Sequence, residues 1–190
     1  VYNMSHSGAV PMIESGQRRV KLRQRPNLEL SRILGVSKTT IVYRGIFRGF
    51  SLPIYSSDNE ELFFNHSVPR RWDGTSDPTV VARVYLDTAN TGKKFQLRLA
   101  WEHTKVGTVV PATSNDVDAP VETGTASQYQ SFDVSFEIDY DIDGAGNEIV
   151  PGDQLGLRIY RITAPSDEIT GEVVVMSAYI DYWRGFYGGA

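Results

Sequence analysis

Three observations predict an all-β fold for this chain of 190 residues. Eight runs rich in β-branched and aromatic residues lie between residues 39 and 183, and turn-forming clusters of Gly, Pro, Asn and Asp separate them. No run of helical period connects one to the next. Strands in that number with nothing helical between them must close a core among themselves, as a sandwich or a barrel. Their length, and the uneven connections of which Val109–Ser127 is the longest, favour a jelly roll over an immunoglobulin-like arrangement. The prediction is a single jelly-roll β-sandwich of about eight antiparallel strands over residues 39–190, led by an extended N-terminal arm over residues 1–38.

Taken in order, the arm has no sustained period: Ser5, Ser7, Gly8, Pro11, Ser15 and Gly16 punctuate its start. Val20 and Leu22 then alternate with Lys21 and Arg23, which allows a short edge strand that Pro26 ends. Residues 27–35 fit two helical turns closed by Gly35, too few to stand without a partner surface. From Thr39 the period shortens to two. The predicted strands are Thr39–Arg44, Ile46–Leu52, Leu62–Val68, Thr79–Leu86, Phe95–His103, Phe132–Ile142, Leu155–Ile162 and Glu172–Trp183. Phe95, Leu97, Leu99 and Trp101 alternate with Gln96, Arg98, Ala100 and Glu102, the mark of a strand buried on one face. Phe132, Val134, Phe136, Ile138, Tyr140 and Ile142 repeat it. The turns carry Ser57-Asp58-Asn59, Trp72-Asp73-Gly74, Ala89-Asn90-Thr91-Gly92, Asp143-Gly144-Ala145-Gly146-Asn147 and Pro151-Gly152-Asp153.

Charge divides the chain. The first fifty residues hold nine Arg or Lys against two acids, and the remaining 140 hold ten against twenty-one, within a net charge of −4. The basic residues of the arm gather at Arg18, Arg19, Lys21, Arg23 and Arg25, with no aromatic among them to stack on bases, so nucleic acid is disfavoured as their partner. Docking on an acidic protein surface suits them better. The absence of cysteine excludes a disulfide framework and Cys-based zinc sites. No apolar run approaches the roughly 18–20 residues of a membrane span, and Val1-Tyr2-Asn3-Met4 does not read as a secretory leader.

Candidate chemistry is sparse. Glu137-Ile138-Asp139-Tyr140-Asp141 approaches the E-x-D-x-E pattern of jelly-roll glycoside hydrolases, and continued alternation would put 137, 139 and 141 on one face. A retaining pair needs carboxyls about 5–5.5 Å apart, whereas positions i and i+4 on a strand are roughly 13 Å apart, and Asp141 is a methylene shorter than glutamate. The acids read better as a solvated face. Asp139, Asp141, Asp143 and Gly144 resemble a calcium loop, but Val150 stands where an EF-hand needs its bidentate acid; only a looser site from Asp141, Asp143, Asn147 or Glu148 remains. His6, His66 and His103 have no metal-ligand spacing, and nucleotide-binding or nucleophile-elbow motifs are absent. No enzyme activity, catalytic residue, metal or other cofactor is expected.

Binding residues are easier to nominate. Trp72 stands beside Arg70, Arg71 and Asp73 in a turn, suited to stack on a sugar ring or to plug one end of the sandwich. Tyr179, Tyr182, Trp183, Phe186 and Tyr187 crowd into nine residues and suggest a subunit interface.

The run Leu62–Val80, the strand Phe95–Trp101 and the segment Gly152–Ile162 resemble jelly-roll virion proteins of viruses and tailed bacteriophages, over about residues 46–184. The resemblance implies a structural component of a particle, located on the virion as a decoration, capsid or fibre protein. It also implies a homo-oligomer, a trimer by preference, contacting other virion proteins and tethered by its N-terminal arm. The alternative is a carbohydrate-binding receptor-recognition module with Arg70, Arg71 and Trp72 on the glycan.

Overall fold

The computed structural model describes residues 20–24, 29–30, 40–53, 60–142, 144 and 146–184. These residues form thirteen strands: β1 (Val20–Gln24), β2 (Glu29–Leu30), β3 (Thr40–Arg44), β4 (Phe47–Leu52), β5 (Glu61–Ser67), β6 (Thr79–Leu86), β7 (Asn90–Thr91), β8 (Lys94–Thr104), β9 (Asn115–Glu122), β10 (Thr125–Ala126), β11 (Ser131–Glu137), β12 (Gln154–Ile162) and β13 (Val173–Arg184). One sheet has the order β11-β6-β13-β4-β3, and β1 also pairs with β13; the other has the order β2-β5-β12-β8-β9, and β7 with β10 makes a small ribbon. All strand pairs in both sheets are antiparallel. The all-β jelly-roll sandwich expected from the sequence is the fold observed.

Period-two alternation builds the core between the sheets. Val80, Ala82, Val84 and Leu86 of β6 and Val173, Val175, Ala178 and Ile180 of β13 belong to the same buried cluster as Phe95, Leu97, Leu99 and Trp101 of β8 and Leu155, Leu157 and Ile159 of β12. Along β13 the buried parity switches from odd to even numbers because the register with β6 slips between Val175 and Ser177. Such a bulge adds one residue, Met176, and re-aims those after it. Arg161, 3% exposed, lies at the end of β12. Burial lowers its pKa and Glu168 opposes that. Its Nε donates to Glu168 Oε1 at 3.0 Å, and its Nη atoms donate to the carbonyls of Gly171 (2.7 Å) and Ile169 (3.2 Å), pinning the approach to β13 onto the core.

Several sequence expectations are corrected. The short strand expected before Pro26 is present as β1, but it pairs with the end of β13 from Val20↔Arg184 to Gln24↔Ile180, so this part of the arm belongs to the sandwich. Within the proposed helix of residues 27–35, Glu29 and Leu30 pair with β5 as a strand; the rest of that segment lies outside the described residues. The long connection contains β9, an edge strand with Pro120 in it. The strand expected to reach Ile142 ends at Glu137, so Glu137, Asp139 and Asp141 do not share a strand face. Trp72 is the plug of the alternative reading: it is 2% exposed, meets Tyr140 and Tyr182 edge-on, and donates from Nε1 to the Ser76 carbonyl at 3.1 Å. A ring with no free face cannot stack on a sugar.

Candidate functional site

The outer face of the β11-β6-β13-β4-β3 sheet carries a groove of about 620 Å³. Its shape follows from how the β3–β4 hairpin leaves the sheet. Beside β13, β4 pairs only from Phe50 to Leu52. At Gly49 the chain passes so close that a Cβ would lie 2.5 Å from Val174 Cγ1 and 3.1 Å from the Val175 carbonyl oxygen. Only glycine permits that approach. The hairpin then turns through Gly45, whose φ of +59° suits a two-residue turn, and Arg44 ends with Cζ 3.9 Å from the ring centroid of Tyr129. Tyr129 precedes β11, at the opposite edge of the same sheet. The hairpin therefore arches over the sheet face and makes one wall of the groove.

The floor is Tyr85 of β6 and Tyr179 of β13, both largely buried, with the bulge residue Met176 beside them. Tyr129 meets Tyr85 edge-on at 6.0 Å. Its φ of +64° is costly for a bulky side chain. A hydrogen bond of 2.7 Å from its amide to the Leu86 carbonyl holds it there. Phe47, at the tip of the hairpin, lines the groove and is 62% exposed.

Polar groups are fixed around these rings. Arg83 donates from Nε and Nη2 to the two carboxylate oxygens of Asp133, each at 2.7 Å, a planar two-bond pair across β6 and β11. The Arg83 hydrogen bond holds the Asp133 carboxyl below the usual carboxylate range, with burial opposing and Tyr179 assisting. Arg23 of β1 stacks 3.8 Å from the Tyr179 centroid and donates to Asp181 at 3.0 and 3.2 Å. Burial works to raise the Asp181 carboxyl, and Arg23 and Lys21 outweigh it, leaving it lowered.

The residues nominated from sequence are scattered by the fold. Of the basic arm, Lys21 and Arg23 lie on the sandwich and pair with Asp181; Arg18, Arg19 and Arg25 lie outside the described residues. Arg70 and Arg71 are exposed beside the buried Trp72. The C-terminal aromatic cluster divides: Tyr179 floors the groove, Tyr182 is wholly buried in the core, and Trp183 is partly exposed with Lys21 Nζ 5.9 Å over its ring. Phe186 and Tyr187 lie outside the described residues. Asp139 and Asp141 do meet, and the hydrogen bond between their carboxyls raises the pKa of Asp141, but both are exposed. Among the described residues no group of three or more His, Asp or Glu is placed to hold a metal, and Asp143 of the candidate calcium loop lies outside them.

Sequence reasoning missed Phe47, Arg83, Tyr85, Tyr129 and Asp133. Arg83 and Asp133 are the outward residues of strands whose inward partners were recognised, so the alternation carried that signal. Their pairing depends on the register of β6 with β11.

No family model and no curated protein matches the chain. Among solved structures it is similar to a carbohydrate-binding module, CBM36, in complex with calcium and xylotriose (10% identity, TM-score 0.40, covering 84% of this chain and 97% of the module). It is also similar to CBM28, described as specific for non-crystalline cellulose (11%, 0.40, 77% and 79%). A third is a family 11 module from Clostridium thermocellum in complex with a β-1,3-1,4-mixed-linked tetrasaccharide (11%, 0.35, 88% and 91%). At these values no binding residue or ligand transfers from one chain to another. The expectation of a virion structural protein is corrected on this finding: the structures named here are carbohydrate-binding modules.

Proposed function

We propose that this protein binds a carbohydrate chain in the groove on the outer face of the β11-β6-β13-β4-β3 sheet. The observation that carries the reading is one groove holding both halves of sugar recognition. Phe47 supplies an uncovered apolar ring for the C–H face of a pyranose, and the Arg83–Asp133 pair supplies donors and acceptors, locked in a plane, for its hydroxyls. A volume of about 620 Å³ lies in the range of small-ligand sites, which pair apolar lining with a few placed polar groups. The pre-formed ion pair limits the ordering cost on binding.

Affinity electrophoresis through gels containing soluble polysaccharides tests this. The wild type is expected to be retarded by at least one of them, with retardation reduced about tenfold or more in Phe47→Ala and in Asp133→Asn, and with circular dichroism unchanged. Absence of retardation in every gel, or equal retardation of wild type and Phe47→Ala, would contradict the proposal.

A further inference from the structure

Resting on the carbohydrate reading of the groove, we propose that the chain it takes is acidic, with anionic groups on the sugars held by Arg44 and Arg48. Four arginines line the groove, Arg23, Arg44, Arg48 and Arg83, and no carboxylate is among the described residues that line it. Beside the lining, Asp133 neutralises Arg83, and Asp181 pairs with Arg23 while also pairing with Lys21. Arg44 and Arg48 have no carboxylate partner among the described residues. The groove therefore carries two uncompensated positive charges in a chain whose net charge is −4.

These two cations are also pre-arranged. Arg44 stacks on Tyr129, and Arg48 lies with Cζ 5.2 Å from the Phe50 centroid. Stacking occupies the flat face of a guanidinium and leaves its edge N–H donors free to take a carboxylate or sulfate in the guanidinium plane. Both sit on the hairpin that Gly49 brings over the sheet, at the groove wall, near Phe47. An anionic substituent on a sugar stacked at Phe47 would therefore meet donors that nothing else on the described surface uses. Arg98 and Arg158 on the opposite sheet show the contrast, since each is tied to a carboxylate of its own chain.

Carboxylates of uronic acids and sulfate esters share this chemistry, and the test separates them. Affinities are measured by electrophoresis and calorimetry for polygalacturonate against its fully methyl-esterified form, and for a sulfated galactan against agarose, with a single-stranded oligothymidylate alongside. The expected result is that at least one acidic chain binds about tenfold or more tightly than its neutral counterpart and that its binding weakens with added salt. The preference should vanish in the double variant Arg44→Gln/Arg48→Gln at an unchanged thermal midpoint and persist in Arg98→Gln on the opposite sheet; a preference that survives in the double variant would overturn the inference. Equal affinity for acidic and neutral chains would overturn this inference and leave the carbohydrate reading standing. Failure to bind any polysaccharide would overturn both, and so would tighter binding of the oligonucleotide than of every polysaccharide.

Discussion

The two outer faces of the sandwich are built from similar residues and end in different states. On the β2-β5-β12-β8-β9 sheet, Arg98 bonds Asp118 at 2.9 Å and reaches Asp116 at 3.3 Å, and Arg158 meets Glu61 at 3.3 Å. Each cation there is answered by a carboxylate on a neighbouring strand, and neither arginine is left unpaired. On the β11-β6-β13-β4-β3 sheet, Arg83 and Arg23 are answered in the same way, but a hairpin lies over the face and brings Arg44, Arg48 and Phe47 with it. Flat pairing of strands consumes charge, whereas an element that leaves the ladder carries side chains the ladder cannot satisfy. The proposed binding surface arises where the pairing of β4 with β13 stops.

The strongest way to break that contrast is to push the hairpin off the sheet. Gly49→Val places carbon where Val174 Cγ1 and the Val175 carbonyl already stand. The expected cost is about 1–3 kcal/mol of stability from overpacking, read by urea denaturation, with glycan binding abolished even where the fold survives. Retained affinity in a folded Gly49→Val protein would show that the arch is not part of the site.

Removing the free ring while leaving the arch is the next step. Phe47→Ala is expected to lower affinity about tenfold, equivalent to about 1.4 kcal/mol, without lowering the thermal midpoint, because the exposed ring contributes little to the core. The opposite face supplies the control. Arg98→Gln should cost less than about 1 kcal/mol of stability, as exposed ion pairs do, and leave glycan affinity unchanged in the same titrations. A binding defect in Arg98→Gln would place the ligand on the wrong sheet.

The smallest expected effect acts on both faces at once, through the layer between them. His66 of β5 is buried and stacks on Tyr182 of β13 at 5.7 Å. Burial alone depresses its pKa below 6.5, so the folded protein holds it neutral. A depressed histidine contributes stability that is fully present above the unfolded value of 6.5 and is lost as pH falls from there toward the folded pKa. The difference in unfolding free energy between wild type and His66→Phe should therefore shift against the wild type between pH 7.5 and pH 5. A pH-independent difference would contradict this placement of His66.

The strands were legible in the sequence where hydrophobic alternation was strong, as in β6, β8, β11, β12 and β13. β9 was not, because Asn115, Asp116, Asp118 and Pro120 are turn-formers by propensity. They suit an edge strand whose acids face Arg98, a tertiary reason that a local window lacks. The same limit hid the site. Phe47 and Arg48 read as members of an ordinary strand, and nothing local to Gly49 announces that Val174, 125 positions later, needs its missing side chain. Trp72 misled in the opposite direction: its neighbours Arg70, Arg71 and Asp73 look like a surface turn, while Tyr140, in the turn after β11, and Tyr182 of β13 close over it.

The central claim is that a sugar chain binds the arched face and not the opposite one. Backbone amide shifts followed by nuclear magnetic resonance during titration with a bound oligosaccharide test it most directly. The account predicts perturbations confined to residues 44–49, 83–85, 129–133 and 176–179. Perturbations centred on Phe63, Arg98 and Arg158, or none at saturating ligand, would contradict it.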